Sequence, residues 1–171
     1  GTVVLWERLD RMLGQKHPYG ETSRKRLLNM SRELEDHLSM VFHKYIDGEV
    51  SGKQVKIILM GNELKSWDPY VKNESATKKL DQIKFSFEHN GHLNQFTIQP
   101  YILPSKDKFS SNQEWERASG PKKWNLQQGF YIYRANRMIQ SGGWSNIRAA
   151  DEHTKLARIA LDFSPQFDDA F

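Results

Sequence analysis

The sequence contains no cysteine, which excludes a disulfide framework, a thiolate metal site and a cysteine nucleophile. Long apolar runs are also absent, since the longest cover residues 3–6 and 57–60, far short of the roughly 18 residues of a membrane span. Proline (6) and glycine (11) are too scarce for a collagen-like chain. The 171 residues, 37% hydrophobic and 27% charged, predict one globular domain in a reducing compartment, the cytoplasm.

The first residues also lack the pattern of a signal sequence. The sequence begins at Gly1, without a charged segment followed by an apolar one, and it starts directly on a strand-like run. The sequence ends at Phe171 in the middle of a sequence pattern rather than after a complete one. We therefore interpret the chain as an excerpt from a longer protein, with no membrane segment of its own.

Positive charge is concentrated in one part of the sequence. The net charge of +4 is too small to indicate nucleic-acid binding by itself. Between residues 120 and 160, however, seven basic side chains are opposed only by Asp151 and Glu152. These seven are the candidate contacts for an anion or a nucleic acid: Lys122, Lys123, Arg134, Arg137, Arg148, Lys155 and Arg158.

The clearest element is a long amphipathic helix over residues 22–45. Apolar residues recur there at three- and four-residue steps, which predicts one apolar stripe packed on a flat surface. Thr22 or Ser23 offers a side-chain cap for the first turn, and Gly48 lies where a left-handed stop residue belongs. The stripe consists of Leu27, Met30, Leu34, Leu38, Val41 and Tyr45.

Strand signals account for much of the remaining sequence. Residues 2–6 predict a short buried strand, and residues 53–60 predict a second strand. Residues 157–163 predict a last strand, in which an apolar set alternates with a set containing Arg158, Ala160 and Asp162. The apolar set is Ala157, Ile159, Leu161 and Phe163.

Two hairpins are predicted from their turns. Asn90-Gly91 joins a strand at residues 83–87 to one at 93–103, in which Pro100 and Pro104 mark the end or an edge. Ala135-Asn136 joins residues 130–133 to 137–140. Between the hairpins, residues 105–128 predict an exposed loop with a short helix at 112–118. The fold class that follows is a two-layer α+β fold with a mostly antiparallel or mixed sheet.

No catalytic or metal-binding pattern is present in the sequence. Neither G-x-x-x-x-G-K-[ST] nor G-x-G-x-x-G occurs, so no phosphate cradle is predicted. No G-x-S-x-G elbow occurs, and the six histidines lack carboxylates placed to complete a metal site. The basic stretch at residues 120–160 has two interpretations. It is either a solvated face with ion pairs or a surface for an anionic ligand, which would be a nucleic acid or a nucleotide held by a neighbouring domain.

Several segments together resemble one family. Gly1-Thr2-Val3-Val4-Leu5-Trp6 resembles the Gly-Thr strand that closes the nucleotide-binding domain of GHKL ATPases, the group of gyrase B, MutL, the related heat-shock chaperone and MORC proteins. The most specific match is residues 128–134, 137–139 and Gly142-Gly143-Trp144. Further matches lie at residues 38–44, at Trp67-Asp68-Pro69-Tyr70, at residues 153–159 and at Asp162.

This resemblance implies a transducer domain of a bacterial GHKL-type ATP-binding protein. Residues 1–6 would be the last strand of the upstream domain, and residues 7–171 a transducer truncated at its C-terminal end, with a ribosomal-protein-like fold. The family's nucleotide-binding boxes are absent here, so the fragment would bind no cofactor, while ATP and Mg are implied for the parent protein. Only Thr2 carries over as a nucleotide contact, near the adenine.

The resemblance also implies partners. These are the upstream ATPase domain of the same chain, a second copy in a parent homodimer, and DNA. The family's phosphate-sensing lysine lies in a loop after the last strand, so Lys155, which precedes that strand, is not that lysine. The alternative function is a nucleic-acid-binding module that uses residues 120–160.

Overall fold

A computed structural model describes residues 2–5, 20–89 and 91–163. Four α-helices and eight strands lie in these ranges, and the α+β fold expected from the sequence is confirmed. The helices are α1 (Glu21–Val41), α2 (His43–Ile46), α3 (Asn112–Ala118) and α4 (Lys123–Gln127). The strands are β1 (Ile58–Leu59), β2 (Asn62–Glu63), β3 (Lys78–Lys79), β4 (Ile83–His89), β5 (His92–Ile102), β6 (Gly129–Arg134), β7 (Arg137–Ser141) and β8 (Ala157–Phe163).

Six of the strands form one mixed sheet. Its order is β3-β5-β8-β6-β7, and β4 pairs with the same strand β5 that β3 does. All pairs are antiparallel except β6 with β8, which are parallel. β8 therefore lies at the centre of the sheet, paired with β5 on one side and with β6 on the other.

Both predicted hairpins are confirmed. Pairing of His89 with His92 leaves two residues for the first turn, although Asn90 lies outside the described residues. The second turn has Ala135 at φ 50° and Asn136 at φ 65°, the left-handed pair that suits the twist of a tight hairpin.

Pro100 lies inside a central strand, not at its end or at an edge. Because proline has no N–H, its partner Leu80 donates to the Pro100 carbonyl oxygen but receives no backbone bond in return. The buried Gln99 side chain fills this gap, since its Nε2 donates to the Leu80 carbonyl oxygen at 2.6 Å. A neighbouring amide therefore makes proline tolerable in this position.

Helix α1 ends at Val41, four residues before the predicted end, because the backbone breaks at Phe42 and residues 43–46 form the separate helix α2. The burial of α1 also differs from the prediction. Its C-terminal end packs on the sheet through Met40 and Val41, whereas Leu27 and Leu34 remain 40% and 43% exposed. Only the last part of the apolar stripe therefore meets the flat surface. The helix begins after Gly20 without a side-chain cap, so the expectation for Thr22 or Ser23 is wrong, while Gly48 has the expected left-handed φ of 70°.

Three other sequence expectations need correction. Residues 53–60 form only the two-residue strand β1 of a small hairpin. Residues 2–5 form no strand, and Val3, Val4 and Leu5 are exposed. Residues 105–128 are not simply an exposed loop, because they contain α4 as well as α3, and their aromatic residues build a core.

Within the described residues, no helix is long and apolar enough to cross a membrane.

The interior consists of two neighbouring clusters. Cluster A lies between α1 and the sheet, and cluster B lies beneath α3. Cluster A contains Met40, Tyr70, Tyr101, Tyr131, Tyr133, Met138 and Ala160, with Trp67 against it. Cluster B contains Val71, Leu103, Phe109, Trp115 and Ala118, with Trp124 and Leu156 against it.

Candidate functional site

Arg158 of β8 lies between the two clusters and is completely buried. Its guanidinium carbon is 5.4 Å from the Trp67 ring centre, 5.5 Å from that of Trp124 and 5.7 Å from that of Tyr131. Aromatic faces attract a cation, and the attraction grows when water is excluded. The guanidinium thus joins cluster A to cluster B.

The hydrogen bonds of Arg158 go to the main chain. Nη1 donates to the Pro69 carbonyl oxygen at 2.9 Å, and Nη2 donates to the Ala118 carbonyl oxygen at 2.8 Å. Burial lowers the pKa of Arg158, because a charge is disfavoured away from water. The expectation that Arg158 contacts an anion or a nucleic acid must therefore be corrected, since the side chain is completely buried and both terminal nitrogens donate inside the fold.

A second centre of polar contacts is the buried side chain of Gln128. Its Oε1 accepts hydrogen bonds from Trp144 Nε1 at 3.0 Å, from Thr154 Oγ1 at 2.7 Å and from the Asp151 N–H at 3.2 Å. Its Nε2 donates to the carbonyl oxygens of Asn125 and Asp151. One amide thus fastens the segments before β6, after β7 and before β8 to one another.

Beside Gln128, two glycines bring backbones unusually close. Phe130 N donates to the Gly143 carbonyl oxygen at 2.8 Å, and Gly143 N donates to the Gln128 carbonyl oxygen at 2.6 Å. A Cβ on Gly129 would overlap that Gly143 oxygen, and the φ of Gly129 is 99°. Gly129 is therefore required here both by space and by conformation.

A buried histidine meets two buried tyrosines of cluster A. His43 Nε2 lies 2.8 Å from the Tyr133 hydroxyl, and the Tyr70 hydroxyl donates to the Tyr133 hydroxyl at 2.9 Å. Burial, followed by the positive charges of Lys44 and Lys72, lowers the pKa of His43 to about 3. Among the described residues, His43 Nδ1 has no hydrogen-bond partner, so a protonated ring would bury an N–H without an acceptor there.

This histidine predicts a pH dependence of stability. Because the pKa of His43 is lower in the fold than its ordinary 6.5, stability is complete above about pH 6.5 and is lost as the pH falls towards 3. The contribution of one such group is at most about 1.4 kcal/mol per pH unit. Urea unfolding at several pH values should show this slope in the wild-type chain and lose it in His43→Gln.

A control for this prediction is available in the same cluster. Tyr133→Phe removes the hydroxyl but leaves His43 buried, so the slope should persist, because burial is the main cause of the shift. Identical slopes in the wild-type chain and in His43→Gln would contradict the assignment.

Next to His43, Lys44 links the helical layer to the end of β8. Its Nζ donates to Asp162 Oδ1 at 2.5 Å and lies 3.8 Å from the centre of the Tyr133 ring. The side chains of Lys44 and Asp162 are 13% and 31% exposed, so the pair is shielded from water and from salt more than an ordinary surface pair. It ties the α1–α2 junction to the C-terminal end of the central strand.

The other basic candidates lie at the surface or partly exposed, and several have partners within the fold. Lys122 Nζ donates to the Ser141 carbonyl oxygen and hydroxyl, and Lys155 pairs with Glu152 at 2.7 Å. Arg137 lies over the Phe42 ring and Arg148 over the Trp144 ring, at 5.8 and 5.2 Å. Lys123 is exposed, and Arg134 lies directly opposite Arg137 in the β6–β7 register.

The described residues assemble no group of metal ligands, and they place the one expected nucleotide contact at the surface. Thr2, the residue expected near an adenine, is exposed, and Gly1 and Trp6 of the same motif lie outside the described residues. Throughout residues 2–5, 20–89 and 91–163, no three histidine or carboxylate side chains come together as metal ligands.

Comparison with protein-family models, with curated proteins and with solved structures returns no match for this chain.

Gln128 and the pair of His43 with Tyr133 were not anticipated as a site from the sequence. No spacing rule marks them, because their partners lie up to 90 residues away along the chain. The one available signal was their position inside the segments that carry the resemblance, at residues 38–44 and 128–134.

Proposed function

We propose that this chain is the transducer segment of a GHKL-type ATPase. In this proposal it turns over no nucleotide itself and relays the ATP-bound state of an upstream domain to dimerisation and to downstream parts. The proposal includes the other features implied by the resemblance: ATP and Mg bound by the parent protein, a parent homodimer and a cytoplasmic location. A reducing compartment agrees with the absence of cysteine.

One observation carries the proposal: the segments that resemble the family contact one another. Trp67 N donates to the Ser39 carbonyl oxygen at 3.1 Å, which joins residues 38–44 to the Trp67-Asp68-Pro69-Tyr70 motif. Arg158 joins that motif to residues 153–159. Gln128 joins residues 128–134 to Trp144 and Thr154. Residues that lie far apart in sequence thus share one network, as expected if a single function selected them together.

The nature of these contacts supports a mechanical function rather than a chemical one. The shared residues are buried, hydrogen-bonded to the main chain or packed against rings, and a rigid interior transmits displacement because it is close-packed. The network also extends along β8 from Arg158 to Asp162, where Lys44 holds the helices. In the family, the loop that senses the terminal phosphate follows this strand. The Lys44–Asp162 pair would thus couple that loop to α1.

The test needs the full-length parent protein. Reading the coding sequence on both sides of this segment should show an Asn-bearing helix and Asp-x-Gly-x-Gly upstream, and a lysine shortly after Phe171. With a non-hydrolysable ATP analogue, the wild-type parent should dimerise in sedimentation experiments. Asp162→Asn should weaken this nucleotide-driven dimerisation about three- to tenfold, a typical allosteric coupling for one link.

A matched control is Lys155→Ala, which breaks the exposed pair with Glu152 at the other end of β8 and should leave dimerisation unchanged. ATP turnover by the 171-residue chain alone, or an unrelated upstream domain, would contradict the proposal. Binding of DNA by this chain alone, with a steep salt dependence, would favour the alternative of a nucleic-acid-binding module.

A further inference from the structure

The six-stranded sheet has two faces of different kinds, because side chains alternate along each strand. In β8, Arg158 and Ala160 are buried on the side of clusters A and B, whereas Leu161 points to the opposite side and is only half-buried. In β6, Tyr131 is buried and Ile132 is half-buried in the same way. The side of Arg158 is the inner face of the sheet, and the side of Leu161 is its outer face.

All four helices of the described residues contact the inner face. Met40 of α1 belongs to cluster A, and His43 of α2 is hydrogen-bonded to a tyrosine of β6. Ala118 of α3 accepts a hydrogen bond from Arg158, and the ring of Trp124 in α4 packs against the same guanidinium. The outer face is therefore turned away from the helical layer.

Apolar side chains occupy the outer face across four neighbouring strands. In the strand register, one row across the sheet consists of Ile83, Ile98, Leu161 and Ile132. The next row contains Phe85, Phe96 and Phe163, and the first two rings stack with their centres 5.0 Å apart. Ile83 and Phe85 are 49% and 44% exposed, and the remaining members of both rows are half-buried. Large apolar side chains thus meet solvent in a continuous array.

The size of this array is that of an interaction surface. A third row contains Pro100, Ile159 and Phe130, although Trp144 packs edge-on against Phe130 at 5.5 Å and shields that end. With strands about 4.8 Å apart and rows about 7 Å apart, these rows cover roughly 400 Å². Monomers rarely expose contiguous apolar patches larger than a few hundred Å². Together with a polar rim, this area approaches the roughly 800 Å² that each partner contributes to a stable interface.

The three rows carry no charge, although the chain has a net charge of +4. Lys84, Arg158 and Asp162 lie next to these rows in sequence, and all three alternate to the inner face. Arg134 lies opposite Phe163 in the register, at one corner of the array. A phosphate backbone or an anionic lipid surface would therefore meet hydrocarbon rather than cations across the rows. An apolar surface can cover them without burying an unpaired charge.

We propose that the outer face packs against the outer face of a second copy of this chain. Two twisted sheets pack face to face about 10 Å apart, with their strands crossing at about −30°. A second copy supplies the same twist and the same apolar rows, and a two-fold axis lets one surface serve both partners. Because the rows are uncharged, two chains of net charge +4 can meet there without like charges in contact. This contact forms without nucleotide and does not rest on the proposed transducer function, since it uses only the sheet.

Sedimentation of the 171-residue chain over a range of concentrations, without nucleotide, tests the proposal. We expect a monomer–dimer equilibrium with a Kd on the order of 10 μM, because the area is at the small end for a stable dimer. Ile83→Lys with Phe85→Lys should weaken the dimer at least about tenfold, since apolar surface would have to cover both ammonium groups. Both positions are exposed in the monomer, so circular dichroism and the urea midpoint should remain those of the wild-type chain.

The matched control is Leu27→Lys with Leu34→Lys. It adds the same charge at two α1 residues of similar exposure that lie away from the outer face. This variant should dimerise like the wild-type chain. A loss confined to the first variant would therefore come from the outer face and not from the added net charge.

Charge complementation identifies the partner as a second copy. Ile83→Glu with Phe85→Glu should also associate poorly by itself. An equimolar mixture of the lysine and glutamate variants should form a mixed dimer at least about tenfold tighter than either variant alone, because opposite charges then meet across the interface.

Three results would overturn the proposal. The first is a wild-type chain that stays monomeric, and one that floats with phosphatidylcholine vesicles instead would identify a lipid surface as the occupant. The second is an equal effect of the outer-face and α1 variants on dimerisation. The third is a mixture of lysine and glutamate variants that does not associate, since the outer face would then not meet its own copy.

Discussion

Replacing Gly129 with alanine is expected to cost about 2–5 kcal/mol of the free energy of unfolding, a large part of the roughly 5–15 kcal/mol of a typical domain. A Cβ at this position would overlap the Gly143 carbonyl oxygen and come within 2.7 Å of its carbonyl carbon. Overpacking against a well-fixed neighbour costs about 1–3 kcal/mol, and a side chain at positive φ adds about 1–2 kcal/mol. Urea unfolding followed by circular dichroism measures the loss.

The neighbouring glycine provides a matched control. Gly143 also has a positive φ, 85°, but a Cβ there would meet no atom within 4 Å. Gly143→Ala should therefore lose only the conformational part, about 1–2 kcal/mol. If the two variants are equally stable, the backbones of residues 129 and 143 do not approach this closely, and the bridge between these two glycines would need revision.

Local signals were enough to predict much of the fold. Gly48 as a helix stop and the Ala135-Asn136 turn depend on a few neighbouring residues, and the structure confirms both. The β6–β8 pairing is different, because its partners are separated by the whole of β7 and a long connection. No short-range pattern specifies such a parallel pair.

Aromatic residues in the polar stretch at 105–128 were misjudged for a similar reason. Trp115 is buried and stacks on Trp124 at 3.9 Å between ring centres, with Phe109 edge-on to both. Composition marks this stretch as a loop, since polar residues surround each ring. Only its long-range packing against Val71 and Leu103 turns it into a core.

β8 shows most clearly why the candidate site could not be predicted. Alternation correctly predicts a strand at residues 157–163, but it does not show which of the two alternating sets is buried. In the structure, Arg158 is 0% and Ala160 4% exposed, whereas Ile159 and Leu161 are only half-buried. Hydropathy assigns a charged residue to the surface. It does not account for the two carbonyl groups that accept hydrogen bonds from Arg158, or for the three aromatic rings that pack against its guanidinium.

Arg158 therefore carries the second large prediction, a graded series of substitutions. Arg158→Ala should cost about 3–5 kcal/mol, because it leaves a cavity among three rings and removes the donors for the Pro69 and Ala118 carbonyl groups. Arg158→Lys should cost about 2–4 kcal/mol, since one ammonium group cannot replace the two guanidinium nitrogens that donate to the Pro69 and Ala118 carbonyl oxygens. Unfolding in urea, followed by tryptophan fluorescence, gives the order.

Arg158→Met separates charge from packing in this series. Methionine fills much of the space without a buried charge, and the lowered pKa of Arg158 shows that burial disfavours that charge. The Nε of Arg158 is also buried without a partner. Replacing a buried charge by an apolar side chain of similar volume is often tolerated, so Arg158→Met should cost only about 1–3 kcal/mol despite the two carbonyl groups that lose donors.

Arg148→Ala is the surface control, because Arg148 also lies over a tryptophan ring but is exposed, and its loss should cost less than about 1 kcal/mol. If Arg158→Met is as damaging as Arg158→Ala, the bonds to Pro69 and Ala118 outweigh packing. If Arg158→Ala is as mild as Arg148→Ala, Arg158 does not join the two clusters. We expect methionine to be the mildest substitution and alanine the most severe. This order follows if Arg158 stabilises the interior chiefly by filling space among the three rings, and also by its hydrogen bonds to two carbonyl groups.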